Sequence, residues 1–102
     1  MKNTTKNVHL THHELLEVIS IVQAVRYAAT KRRNSAEVKL TNEILCELLK
    51  YDVDSKGAVV VLDNMCRYNL WNYVEQYANF CGDRNMHIEY ALAVTIATKL
   101  SG

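Results

Sequence analysis

The stretch LTHHELLEVISIVQAVRYAATKRR, residues 10–33, decides the fold expected for this chain. It begins with Thr11-His-His-Glu14, the pattern of a capping box. In that motif the Thr11 hydroxyl accepts from the Glu14 amide, and the Glu14 carboxylate accepts from the Thr11 amide. Leu10 and Leu15 flank the box at the positions of a hydrophobic staple. The pattern predicts a helix that begins directly after Thr11.

This first helix is apolar on nearly every side. Beyond Leu15 and as far as Ala29, polar residues occur only singly, at Glu17, Ser20, Gln23 and Arg26. A helix on the surface of a small domain normally has a broad polar face. We therefore expect this helix to lie in the centre of the domain or at an interface between subunits.

The chain as a whole predicts a compact all-α bundle of about four helices. Apolar spacing, capping residues and glycines place these helices at about residues 12–32, 34–51, 57–80 and 84–99. A loop is expected over residues 52–57. Residues 1–10 are expected to form a flexible arm, and residues 11–102 a single helical domain. We find no internal repeat.

One segment, residues 58–62 (AVVVL), is β-branched and has the composition of a strand. The apolar residues after it continue at three- and four-residue steps, which favours a helix. We therefore assign it to the third helix. The alternative is a short strand that pairs with residues 38–40.

Composition limits the possible functions. The 102 residues include no proline and three glycines, and the net charge of +1 gives no electrostatic case for nucleic acid or an anionic membrane. No apolar run approaches the roughly 20 residues that a membrane helix needs. The N-terminus has no signal-peptide core, so we expect a cytoplasmic protein. The three cysteines, Cys46, Cys66 and Cys81, are expected to be reduced, buried thiols.

The sequence contains no catalytic motif, and we expect no enzymatic activity and no cofactor. The histidines His9, His12 and His13 lie close together, and His13 precedes Glu17 by one helical turn. No further ligand completes a metal-binding pattern there, so no metal site is predicted.

The strongest candidates for an interaction site lie on the third helix. Tyr68 and Trp71 fall away from its expected core face, beside Arg67 and Glu75. Exposed Trp, Tyr and Arg side chains are typical of the residues that dominate protein interfaces. The alternative is that Trp71 belongs to a second buried face of the same helix.

A second candidate site consists of cations at the end of the first helix: Arg26, Lys31, Arg32 and Arg33. These residues suit a phosphate ligand or nucleic acid. Cations at a helix C-terminus also stabilise its free carbonyls without any ligand. The second helix is acidic, with Glu37, Glu43 and Glu47, which disfavours nucleic acid.

The sequence therefore favours a small protein-binding module that acts as a regulator, adaptor or inhibitor. Nucleic-acid or phosphate-ligand binding through the basic cluster is the alternative. Because the first and fourth helices are both apolar around most of their circumference, we also expect a homodimer.

Overall fold

The computed structural model describes residues 4–51 and 56–101. The order of elements is β1 (Thr5–Leu10), α1 (His12–Lys31), α2 (Ser35–Leu48), β2 (Ala58–Asp63), α3 (Asn64–Asp83) and α4 (His87–Ser101). The two strands pair antiparallel, with Val8 opposite Val60. The chain is thus mostly helical with a small two-stranded sheet, and the all-α prediction is right for the four helices and wrong for the two strands.

Both strands occupy segments that the sequence analysis assigned differently. Residues 5–10, expected in a flexible arm, form β1, and residues 58–63, expected in the third helix, form β2. In each strand the buried residues alternate with exposed or half-buried ones, as a strand with one core face requires. The β-branched run was therefore a strand signal, but its partner is β1 and not residues 38–40. The loop predicted at residues 52–57 lies mainly outside the described residues.

Helix α1 begins as its sequence predicts. The Thr11 amide donates to Glu14 Oε1 at 2.8 Å, and the Glu14 amide donates to Thr11 Oγ1 at 3.2 Å, which confirms the capping box. Leu10 and Leu15 are both fully buried in the core. Because α1 contacts β1 and the three other helices, it lies centrally in the domain.

The structure shows that the chain consists of two βαα halves related by a shift of 52 positions, as from Val8 to Val60. The N-cap of the first helix in each half obeys this shift, Thr11 matching Asp63. Buried residues follow the same shift throughout both halves: Val8 and Val60, Leu10 and Leu62, Val18 and Leu70, Ile21 and Tyr73, Val22 and Val74, Ile44 and Ile96, Leu48 and Leu100.

The turns between the two helices of each half also match. Arg33 and Asn85 both have positive φ, at 58° and 57°. In each turn the next amide donates to the carbonyl five residues earlier at 2.9 Å, from Asn34 to Ala29 and from Met86 to Cys81. These bonds satisfy carbonyls at the end of the preceding helix. The two turns are therefore the same structure built from different residues.

A pseudo-twofold axis relates the halves and passes through the sheet. Equivalent residues Val8 and Val60 lie opposite each other, which is the pairing that a twofold axis requires. Within each half the two helices pack on each other, and the strands join the halves. Much of the apolar surface that we expected a homodimer to cover is thus buried between two halves of one chain.

The repeat is hard to find in the sequence because several equivalent core positions differ in residue type. Tyr73 stands where Ile21 does, and Ala97 stands where Leu45 does. In the described part of the chain, no helix is both long and apolar enough to cross a membrane.

Candidate protein-interaction site

Three of the four residues predicted as an interaction site line one small cleft beside the last turn of α4. Arg67, Tyr68 and Trp71 enclose about 210 Å³ together with Leu100 and Ser101. Tyr68 is 62% exposed, and its ring centroid lies 6.2 Å from that of Trp71. The fourth residue, Glu75, does not line this cleft.

Within that cleft, Arg67 and Trp71 are occupied by the fold itself. The Arg67 Nη1 donates to the Leu100 carbonyl at 2.7 Å, which satisfies a free carbonyl at the end of α4. The Arg67 Nε is buried and has no partner among the described residues. Trp71 is half-buried and packs against the core. The exposed aromatic surface is therefore mainly that of Tyr68.

The basic cluster does not form a converging anion site. Arg32 lies 3.6 Å from the carboxylate of Glu37, and the Lys31 ammonium lies 4.9 Å from the centroid of the Tyr27 ring. Arg33 forms the turn after α1. Arg26 is exposed beside the core stripe of α1.

A groove between α2 and α3 opens on the described surface. Two adjoining cavities of about 420 and 400 Å³ share Leu40 and Asn69 in their linings. Together they extend from Val61 beside β2 to Asn34 at the start of α2. We call this feature the α2–α3 groove.

The α2–α3 groove has an apolar lining at its β2 end. Leu40 and Ile44 come from α2, where they are one turn apart, and Val61 comes from β2. Met65 comes from the first turn of α3 and is 64% exposed, and Val61 is 44% exposed. Large apolar side chains this exposed mark a surface suited to binding.

Four carboxylates line the α2–α3 groove: Glu37, Glu43, Glu47 and Asp63. Neither lysine nor arginine is among its described lining residues. Glu37 has its contact with Arg32, and Glu47 accepts from Lys50 at 2.8 Å. The ion pairs of the described residues do not include Glu43 or Asp63. The groove is therefore negative.

Cys66 lies within this acidic groove as a half-buried thiol. Burial raises its pKa, and the charges of Asp63 and Glu47 raise it further, to about 11. The thiol is therefore protonated near neutral pH and is a poor nucleophile. Of the other free cysteines, Cys81 is buried and Cys46 is exposed, so the expectation of three buried thiols is wrong for Cys46.

The pseudo-twofold counterpart of the α2–α3 groove is bridged by an ion pair at the end that adjoins the sheet. There the Lys99 ammonium of α4 donates to Glu14 Oε1 of α1 at 2.5 Å. Burial raises the pKa of Glu14, but the hydrogen bonds from Lys99 and Thr11 outweigh this effect and leave the pKa below its usual value. At the α2–α3 groove, Glu47 stands in place of Lys99, and Cys66 in place of Glu14.

The sequence analysis missed the α2–α3 groove, although a signal was present. Leu40 and Ile44 alternate with Glu43 and Glu47 at helical spacing, which places acids beside an apolar stripe. We read these acids only as an argument against nucleic acid. The missing information was that α3, rather than solvent or a packed core, lies across from this stripe.

A further uncharged surface lies on the outer face of α4. Ile88 is 83% exposed and Val94 is 38% exposed, with Ala91 between them. The hydroxyls of Thr95 and Thr98 on the same face donate to carbonyls of their own helix at 2.9 Å. These threonines therefore present mainly methyl groups outward.

The outer face of the sheet is mixed in character. Thr5, Asn7 and His9 of β1 are exposed there, next to Val59 and Val61 of β2. The β1 side thus offers side chains that form hydrogen bonds, whereas the β2 side is apolar.

In residues 4–51 and 56–101, no cluster of three His, Cys, Asp or Glu side chains has the arrangement of a metal site. His12 and His13 have ring centroids 5.7 Å apart, edge to face. No family model matches the chain, and neither the curated proteins nor the solved structures compared with it give a match.

Proposed function

We propose that this protein is a protein-binding module that holds a segment of another protein in the α2–α3 groove. The observation that carries the proposal is the difference between two equivalent places: the groove is open beside β2 where its pseudo-twofold counterpart is bridged by Lys99 of α4. An apolar lining left open by the chain itself is a site for apolar groups from elsewhere.

The dimensions of the groove suit a helical segment. Helix α2 has 14 residues, which corresponds to about 21 Å at 1.5 Å per residue. The groove follows α2 from Asn34 to Glu47. A helix of similar length lies along such a groove with apolar residues at three- and four-residue steps.

The groups in the groove favour binding over catalysis. The thiol of Cys66 is protonated, and the carboxylates of Glu37 and Glu47 already contact cations outside the groove. We therefore retain a regulator, adaptor or inhibitor as the functional class. The exposed free thiol of Cys46 suits a reducing compartment, and we propose the cytoplasm.

A sequence-unbiased selection tests the use of the groove. Peptides from a random library are selected on the wild-type protein and then measured on two tryptophan variants of α3. Asn69→Trp fills the groove where its two cavities meet, and Asn79→Trp adds the same side chain at an exposed position outside it. We expect selected peptides to bind the wild type and Asn79→Trp but not Asn69→Trp. Peptides that bind Asn69→Trp equally well would reject the groove.

Self-association remains part of the proposal, with the outer face of α4 as its contact. In an antiparallel pair of α4 helices, a small residue such as Ala91 permits close approach at the axis, and Ile88 packs against Val94 of the second copy. Sedimentation equilibrium checks this. Ala91→Arg should give a monomer, whereas Gln23→Arg on the exposed side of α1 should not. A strictly monomeric wild type at the highest concentration contradicts it.

Nucleic acid is the second candidate, and the outer face of the sheet is the observation that favours it. A two-stranded ribbon fits the major groove of DNA, and Thr5, Asn7 and His9 are able to hydrogen bond with bases there. The acidic residues Glu47 and Asp63 near β2 oppose it. Fluorescence anisotropy with duplex DNA decides: binding that weakens steeply with salt and is lost in Asn7→Ala supports this candidate.

A further inference from the structure

The α1–α4 contact shows how a helix of one half is held against a helix of the other. On that side, α4 reaches α1 with one lysine, Lys99, whose ammonium contacts the buried carboxylate of Glu14. On the open side α2 has Glu47 at the equivalent position, and this side chain pairs with Lys50 just after α2 rather than with a residue of α3. Among the described residues that line the groove, no lysine or arginine joins α2 to α3.

The carboxylates of the groove set a requirement for anything that covers them. A neutral apolar segment would remove Glu43 and Asp63 from water without supplying a cation, and Asp63 would keep only its hydrogen bond from the Cys66 amide, so this desolvation costs free energy. A segment with lysine or arginine supplies that partner and strengthens the association through charge complementarity. The occupant must therefore carry positive charge beside its apolar residues.

From the apolar lining, the acidic rim and the length of the groove, we propose that its occupant is a cationic amphipathic helix of another protein. This inference rests on the proposed function and specifies the partner. The apolar side chains of that helix lie on Leu40, Val61 and Met65. Its lysine or arginine side chains lie opposite Glu43 and Asp63, as Lys99 does opposite Glu14.

The test uses synthetic peptides of about 14 residues with apolar residues at fixed helical positions. Three peptides share these positions and have lysine, glutamine or glutamate at the others. Calorimetric titration into the full chain measures each affinity. We expect the lysine peptide to bind about tenfold tighter than the glutamine peptide and the glutamate peptide not to bind. The advantage of lysine should shrink as salt is raised.

Two charge reversals of equal size make the test local. Glu43→Lys alters the rim of the groove, whereas Asp83→Lys makes the same change in net charge at the exposed end of α3. We expect Glu43→Lys to weaken the lysine peptide about tenfold and Asp83→Lys to leave it within about twofold. Equal losses in both variants would show attraction to the overall charge and overturn the inference.

The remaining outcomes separate this inference from the proposed function. If the glutamine peptide binds as tightly as the lysine peptide and Asn69→Trp abolishes both, the groove binds protein but the cationic partner is wrong. If the lysine peptide binds Asn69→Trp as it binds the wild type, both proposals fail. Absence of binding by all three peptides overturns the cationic helix, and the library selection then decides on the groove.

Discussion

The α1–α4 contact and the α2–α3 groove are related by the pseudo-twofold axis, and each lies between a helix of one half and a helix of the other, yet the described ion pairs join the helices only at the first. In the closed contact a lysine of α4 meets a glutamate of α1, and Arg67 of α3 ties down the end of α4 through the Leu100 carbonyl. In the groove Glu47 and Cys66 replace the charged pair. Outside the groove, the position equivalent to Arg67 is taken by Leu15, which is buried in the core. The same backbone plan thus gives a packed contact between α1 and α4 and an open surface between α2 and α3.

This difference shows how a repeated fold acquires a site. Both halves share their strands, caps and turns, so the architecture alone would produce two equal contacts. A few side chains break the symmetry. At the positions equivalent to the Lys99–Glu14 ion pair, α2 and α3 have Glu47 and Cys66, which do not attract each other. The proposed binding surface is then what remains when one of two equivalent contacts does not form.

The largest effect on the free energy of unfolding is expected when two equivalent core leucines are truncated. Leu48→Ala and Leu100→Ala each delete a fully buried side chain from the last turn of α2 or α4. Each should lower the free energy of unfolding by about 2–5 kcal/mol. Leu100→Ala should cost more, because α4 contacts α1 and β1 as well as α3. Urea unfolding of both variants checks the order, and a larger loss for Leu48→Ala would contradict the asymmetry.

The sequence predicts the helices well because their signals are local. The capping box of α1 and the spacing of Ile44, Leu45 and Leu48 need no information from elsewhere in the chain. The strands were missed because the burial of β1 depends on β2, about fifty residues away in sequence. A short alternating segment such as NVHL shows a strand only once its partner is known.

The candidate site was predictable only in part for the same reason. Arg67, Tyr68 and Trp71 do meet in one cleft because they are neighbours on a single helix. The α2–α3 groove instead joins residues of α2, β2 and α3, and its openness depends on what those elements fail to contact. No pattern within one helix reveals that two helices are held apart.

Breaking the ion pair of the closed contact should have the next largest effect. Glu14→Gln keeps the capping geometry but removes the charge that Lys99 contacts, and should lower the free energy of unfolding by about 1–2 kcal/mol. The estimate is at the low end for a buried pair because Lys99 is one third exposed. Glu43→Gln, which alters an exposed carboxylate of the α2–α3 groove, should change stability by less than about 0.5 kcal/mol.

The pH dependence of stability identifies the charge of Glu14 as the cause. Its pKa in the folded protein lies below the usual 4.5, so its contribution is complete above that pH and is lost as the pH falls through the folded pKa. The difference between wild type and Glu14→Gln should therefore shrink in acid. Unfolding measured from neutral pH to about pH 3 shows this. A difference that persists undiminished in acid would mean that packing, not charge, is responsible.

Two substitutions that give the α2–α3 groove the charges of the α1–α4 contact sharpen the comparison. Glu47→Lys with Cys66→Glu rebuilds both the ion pair and, after the N-cap Asp63, the capping-box pattern of α1. A double-mutant cycle should give a favourable coupling of about 0.5–1 kcal/mol. The double variant should also lose the lysine peptide, because α2 then closes on α3. A coupling near zero would show that the charges do not hold α2 and α3 apart.

The smallest expected effect lies at the two equivalent turns, where the halves share a backbone but differ in strain. Arg33 and Asn85 both adopt the left-handed conformation. This conformation costs most residues with a side chain about 1 kcal/mol, and it costs asparagine less. Arg33→Gly should therefore raise the free energy of unfolding by about 0.5 kcal/mol, after the greater flexibility of glycine in the unfolded chain is subtracted. Asn85→Gly should change it by less, since asparagine tolerates this conformation and glycine then adds mainly unfolded-state entropy. Thermal unfolding of the two variants in parallel measures the difference. An equal or larger gain for Asn85→Gly would mean that the turns, although superimposable in conformation, are held by different forces.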